Sequence, residues 1–179
     1  MDRRHISHGY HSLSDELRAE VRFRGLAVDR AVLRSVGHEL RLKHGSDVLS
    51  RKVLDSMALD IRQGRQLAVV VIDAIRNPAE VSLLRESLGS AFVLTSIEAP
   101  DDAIVARIRD RGRQGDILGD DDLARQVLAA EMGLNEPDHG HNIGQCIAMA
   151  DVRVCNDGPL AELKQTVRHF VDEHVPVQA

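Results

Sequence analysis

The sequence predicts an α/β fold in which a parallel sheet is flanked by helices, laid out as a single domain over residues 1–179. Three observations carry this prediction. Residues 67–73 (LAVVVID) form a continuous apolar run of strand length, the pattern of a parallel strand covered on both faces. Shorter strand-like runs follow at 91–97 (AFVLTSI) and 151–155 (DVRVC). Helical periodicity fills the intervals, and strands alternating with helices imply parallel pairing through right-handed crossovers.

In chain order, a weak strand is predicted near residues 9–13. Ser14 is placed to cap a helix through about residue 24, with Asp15 and Glu16 suited to the positive helix end. Asp29 caps a second helix to about residue 44, and Asp47 a third to about residue 63. Pro78 fits the first turn of a helix ending before Gly89. Pro100 and Asp101 open a helix through about residue 111. Further helices are predicted at 120–132, 141–149 and 160–173.

With 43% hydrophobic residues, 179 residues are enough for one real core, although aromatics make up only 2%, so Leu, Ile, Val and Ala must fill it. The net charge of −5 lacks the basic footprint of a nucleic-acid binder. The cations are nearly all arginine, the better planar partner for phosphate; the lysines are Lys43, Lys52 and Lys164. Two cysteines, Cys146 and Cys155, make no disulfide framework and read as buried thiols. No apolar run reaches the ~20 residues that span a bilayer, and the first dozen residues contain no apolar signal core. The expectation is a cytoplasmic protein without membrane or nucleic-acid partners.

In parallel sheets ligands bind beyond the carboxyl ends of the strands, so the residues after each strand matter most. After the first long run stands Asp73-Ala74-Ile75-Arg76-Asn77-Pro78. A terminal Asp can hold a Mg²⁺-bound water, and an Arg three residues on can grip a phosphate with a two-pronged fork. Asp73 capping the next helix and Arg76 pairing with Glu80 is the competing reading. After the second run, Arg107, Arg109, Arg111 and Arg113 crowd ahead of a Gly-containing charged loop. Arg107 and Arg111 share a helical face and could meet one anion when that loop closes; a solvated basic face balanced by Asp110, Asp116 and Asp120–Asp122 is the alternative. After the third run, Asn156-Asp157-Gly158 marks a turn.

Taken together and in order, these segments resemble the nucleoside-monophosphate kinases of the P-loop class. ISHGYHSLSDELRAEV is similar to the entry into the monophosphate-binding helices of adenylate-kinase-like proteins. VVVIDAIRNPAEVSLLR is similar to their strand-Asp-Gly-x-Arg segment, as found in dephospho-CoA-kinase-like proteins. EAPDDAIVARIRDRGR resembles the helix entering their lid, and ADVRVCNDGPLAELKQTV their last strand, base-side loop and final helix. The resemblance covers roughly residues 6–171. It implies that residues 14–63 form a helical acceptor-binding region and 101–133 a lid. It further implies that Asp15 lines the acceptor pocket, Arg18 and Arg76 bind the acceptor's phosphate, and Asp73 helps order Mg²⁺ through water. Arg107, Arg111 and Arg113 would be lid arginines that stabilise the transferring phosphoryl group, with Asp73 among the catalytic residues. Asn156 and Gly158 would border the adenine of ATP. Ala74 departs from the Gly usual at its place.

The larger departure is at the front. Such kinases begin with a strand and G-x-x-x-x-G-K-[ST], whose backbone N–H groups and Lys hold the ATP phosphates. In this sequence no Lys follows a Gly, and none precedes Ser or Thr. The first strand, the P-loop and its helix are therefore expected to be missing, which would leave a strand edge bare and favour self-association. The resemblance implies ATP-dependent phosphoryl transfer to a nucleoside monophosphate or similar small phosphorylated acceptor, impaired by the missing Walker A segment. The alternative is a non-catalytic nucleotide-binding or interaction protein derived from such a kinase. The nine histidines, with His5, His8 and His11 at every third position, lack the four-ligand spacing of a zinc site and read as surface or capping residues.

Overall fold

The computed structural model describes residues 7–111, 121–133 and 136–175, apart from the side chains of 109–111. The chain forms two compact units, residues 1–75 and residues 76–179. Among the described residues, each contains one pair of parallel strands joined through three helices.

In the first unit, β1 (His8–Ser12) leads through α1 (Leu13–Phe23), α2 (Arg30–His44) and α3 (Val48–Arg62) to β2 (Val69–Asp73). The two strands run in register from His8 opposite Val69 to Ser12 opposite Asp73. The core is mainly helical. Leu13, Leu17 and Val21 recur every fourth residue on α1, Leu33, Val36 and Leu40 line α2, and Val48, Leu49 and Val53 line α3. Fully burying each such side chain is worth roughly 1.5–3 kcal/mol. Asp29 caps α2 as predicted, its carboxylate accepting from Val32 N at 2.9 Å. Two predicted caps differ. Ser12, extended and buried, precedes α1, and Ser14 lies inside that helix. Asp47 precedes α3 but makes no side-chain cap, because its carboxylate is taken by Arg51 one turn later. Arg24 joins α1 to α2 by bonding both Glu20 and Glu39, and Ser56 joins α3 to α1 by donating to Glu16 at 2.9 Å.

The run at 67–73 pairs from Val69 onward, and among the described residues β2 has one hydrogen-bonded neighbour, β1. Val71, in its middle, is 49% exposed. The expected covering of both faces is therefore not made within this unit.

The second unit comprises α4 (Pro78–Leu88), β3 (Thr95–Glu98), α5 (Asp101–Arg111), α6 (Asp121–Glu131), α7 (Ile143–Ala148), β4 (Val152–Cys155) and α8 (Leu160–His174). β3 and β4 are parallel, with Thr95 opposite Val152 and Glu98 opposite Cys155. Pro78 occupies the first turn of α4, and Gly89 ends that helix with φ of 56°. The predicted strand at 91–97 starts late for two reasons. Residues 89–91 continue as a 3₁₀ turn, and the Asp151 carboxylate takes Leu94 N at 2.8 Å. Arg85 holds that carboxylate in place and also donates to Met149 O. Val81 and Leu84 are fully buried, with Val105, Ala124, Cys146 and Val154 nearly so. Cys155, expected to be buried, is exposed. Among the described residues no helix is long and apolar enough to cross a membrane.

Candidate functional site

Parallel pairing in register brings the carboxyl ends of β1 and β2 together, and side chains two residues apart share a face. Tyr10, Ser12, Val71 and Asp73 therefore project from one face of the pair. The Tyr10 hydroxyl donates to Asp73 Oδ2 at 2.6 Å. That bond, with desolvation and the negative carboxylate, holds the Tyr10 phenol above its ordinary pKa of 10.0. Asp73 Oδ1 is shielded from solvent and has no hydrogen-bond partner among the described residues. A shielded carboxylate oxygen without a donor is costly unless something else supplies one. Ala74, the next residue, has φ of 62°, in the left-handed region that glycine enters freely and alanine at a cost. The chain thus makes the sharp exit from β2 that a Gly would make easily.

The carboxyl end of β1 leads directly into α1. Asp15 in its first turn pairs with Arg18 at 2.6 Å. Both side chains are substantially solvated, so this i,i+3 pair contributes little to stability and can be exchanged for another anion.

Arg76 belongs to the second unit, and its backbone is fixed from two directions. Its N–H donates to Glu80 Oε2 at 2.8 Å, and its carbonyl accepts from Asn142 N at 2.7 Å. Glu80 Oε2 also accepts Asn77 N, while the Asn77 carboxamide accepts Ala79 N and donates to the carbonyls of Asp138 and Gly140. Asn77 and Glu80 form a capping box at the start of α4 and are almost completely buried. The helix cap is thus Asn77, not Asp73. Glu80 does engage Arg76, but through its backbone. The Arg76 guanidinium bonds Glu131 at the end of α6 through Nη1, and His141 Nδ1 lies 3.0 Å from the same Glu131 oxygen.

Sequence reasoning missed Tyr10, Glu131 and His141. The capping box had a readable signal, Asn77 followed three residues later by Glu80. Nothing local announces Glu131, which stands 55 residues from Arg76. Arg107 is exposed on α5. The Arg111 side chain and Arg113 lie outside the described residues. A different arginine, Arg125, joins α6 to α5 by pairing with Asp102. Asn156 follows β4 and donates its N–H to Glu98 O at 2.7 Å. Gly158 lies against α8, where an added Cβ would stand 2.4 Å from Glu162 Oε2. The predicted site residues thus divide between the units: Asp15, Arg18 and Asp73 in the first, Arg76, Arg107, Asn156 and Gly158 in the second.

The described residues hold no group of three or more His, Cys, Asp or Glu side chains able to enclose a metal ion. His11 instead stands 3.3 Å from Asp60, which also bonds Arg65. Asp73, with one oxygen occupied by Tyr10 and one unpartnered, suits Mg²⁺ held through water, since Mg²⁺ keeps several waters and commonly uses one or two carboxylates with substrate phosphates.

No family model matches the sequence. Curated relatives are archaeal. The chain is 33% identical over 161 residues to the UPF0200 protein of Methanothrix thermoacetophila, a match covering 90% of this chain and 81% of that protein. It is 27% identical over 163 residues to the UPF0200 protein of Methanosarcina acetivorans, covering 91% and 80%. A UPF0200/UPF0201 protein of Archaeoglobus fulgidus is 29% identical over 160 residues, which are 89% of this chain and 46% of that longer protein. Similarity sustained across nine-tenths of the sequence places the chain in the UPF0200 family.

Proposed function

We propose that this chain is a nucleotide-kinase-type protein of the P-loop class that binds a nucleoside monophosphate or similar small phosphorylated acceptor. The observation that carries the reading is Asp73: a shielded, unpartnered carboxylate oxygen at the carboxyl end of a parallel strand pair, beside the entry to α1. That is where a water-bound Mg²⁺ is useful to phosphoryl chemistry. In this reading Arg18 and Arg76 are phosphate ligands, Asp15 lines the acceptor pocket, and Asp73 orders Mg²⁺ through water. Arg107, Arg111 and Arg113 neutralise charge on the transferring group, and Asn156 and Gly158 border the donor's adenine. Bound Mg²⁺ would offset charge on the phosphate oxygens; Asp73 contributes the acceptor oxygen that holds one of its waters, and Tyr10 fixes the orientation of that carboxylate.

The ATP side is weaker. The 179 residues contain no G-x-x-x-x-G-K-[ST], and lid arginines do not replace a ring of backbone donors around the triphosphate. Phosphoryl transfer rests on positioning and electrostatic stabilisation. The reading therefore gives these residues acceptor binding with slow or no turnover of their own. This same feature favours a second reading, a binding protein derived from such a kinase. A coupled phosphoryl-transfer assay with ATP, Mg²⁺ and a panel of nucleoside monophosphates tests both, with Arg76→Ala as the control for contaminating kinase. Turnover lost in the control supports the kinase. Monophosphate binding without turnover supports the second reading, and neither binding nor turnover overturns both.

A further inference from the structure

We propose that Glu131, backed by His141, is the positioning residue for Arg76 and presents one edge of its guanidinium to the phosphate of the ligand. The inference rests on the reading of Arg76 as a phosphate ligand and adds the device that orients it.

The guanidinium group is planar and carries five N–H donors along two usable edges. Glu131 Oε2 engages Nη1 alone. Among the described residues no acceptor lies on Nε or Nη2, so that edge keeps two parallel donors, the fork that matches two oxygens of one phosphate. Arg76 is about one-third exposed, which leaves it reachable, while Glu131 and His141 are about one-fifth exposed. His141 Nδ1 stands 3.0 Å from the same Glu131 oxygen that Arg76 engages, a second contact on that carboxylate.

The backbone joins in the same arrangement. Asn142, next to His141, donates to Arg76 O, and Gly144 N donates to Met132 O, next to Glu131. Gly133 stands so close to Asn142 that an added Cβ would fall 2.7 Å from its carboxamide oxygen, and its φ of 99° admits little but glycine. The end of α6, the start of α7 and the residue entering α4 are thus held as one knot around a single guanidinium. A free arginine must give up its rotamer freedom when it takes a phosphate; this one is ordered beforehand.

The opposite role is also chemically definite: Glu131 could compete with the phosphate for Arg76. The free Nε–Nη2 edge argues against it, because a competitor should hold the fork, not one outer nitrogen.

The test is a double-mutant cycle on the full chain with Arg76→Ala, Glu131→Gln and their combination. Inorganic phosphate and adenosine monophosphate are the probes, with adenosine as the phosphate-free control. Positioning predicts that Glu131→Gln weakens phosphate-dependent binding by about twofold to tenfold, the range set by ordering one rotamer-rich side chain. It predicts no further loss when Glu131→Gln is added to Arg76→Ala. Nitrogen relaxation of the Arg76 Nε–H gives a reading without ligand: rigid in the wild type and mobile in Glu131→Gln. Tighter binding in Glu131→Gln, unchanged binding, additive losses, or an Nε–H already mobile in the wild type would each overturn the proposal. Failure of the wild type to bind either phosphate probe, with a rigid Nε–H, would instead overturn the phosphate-ligand reading, and the proposal with it.

Discussion

Replacing Glu80 by Ala should be among the most damaging single changes in the second unit, and its size can be worked from the contacts. Glu80 is fully buried. One of its oxygens accepts the backbone N–H groups of Arg76 at 2.8 Å and Asn77 at 3.0 Å. Alanine leaves both donors without that acceptor, at about 1–3 kcal/mol for each buried unsatisfied group. It also removes a negative charge from the positive end of α4, worth about 0.3–1 kcal/mol. Relief of the buried charge offsets part of this, so the net loss should be about 2–4 kcal/mol. Glu80→Gln keeps an amide oxygen of the same reach and should lose only about 1 kcal/mol. Urea denaturation followed by far-ultraviolet circular dichroism measures both variants, and amide exchange at Arg76 and Asn77 locates the effect. Glu80→Ala within about 0.5 kcal/mol of the wild type, the range of an ordinary surface substitution, would refute the reasoning. So would Gln costing as much as Ala.

Two further outcomes concern titration. Tyr10 is the sole tyrosine and there is no tryptophan, so phenolate absorbance reads this residue alone. Its ionisation should fall above pH 10.0 in the wild type and return to about that value in Asp73→Asn, because the hydrogen bond to Asp73 is the largest cause of the shift; coincident curves would show that the bond does not form. Burial, with the Glu80 carboxylate adding to it, pushes the Cys146 thiol up to about 11 from 9.0. The folded state therefore keeps a proton that the unfolded chain releases. Its contribution is whole below about pH 9 and is lost as the pH rises toward 11. Urea midpoints should fall over that window in the wild type and less steeply in Cys146→Ala, and parallel slopes would contradict the assignment.

Much of the fold was legible because local rules and tertiary packing agree. Asp29, Pro78 and Gly89 mark helix ends for reasons confined to a few residues, and the structure uses all three. Parallel pairing followed from the alternation of strands and helices. Where the reading slipped, a neighbour had taken the group that the local rule needed. Arg51 took Asp47, and Asp151 took the Leu94 N–H that a longer strand would have used. For α1 the local pattern puts the cap at Ser14, two residues too late: the structure starts the helix after Ser12. At the site, the sequence could nominate Asp73 and Arg76 because each follows the same apolar run. It could not nominate their partners. Tyr10 meets Asp73 only through the strand register, and Glu131 meets Arg76 only because the tertiary fold brings the end of α6 to the residue entering α4.

The central claim is that the chain recognises a phosphate on a small molecule and that Arg76 carries that recognition. Calorimetric titration with nucleoside monophosphates and with the matching nucleosides, on the wild type and on Arg76→Ala, tests it most directly. The account predicts saturable binding of at least one monophosphate, much weaker binding of its nucleoside, and a loss of about tenfold or more in Arg76→Ala, as expected for removing a charged hydrogen bond. A monophosphate and its nucleoside bound equally well, or an affinity that Arg76→Ala leaves unchanged, would contradict it.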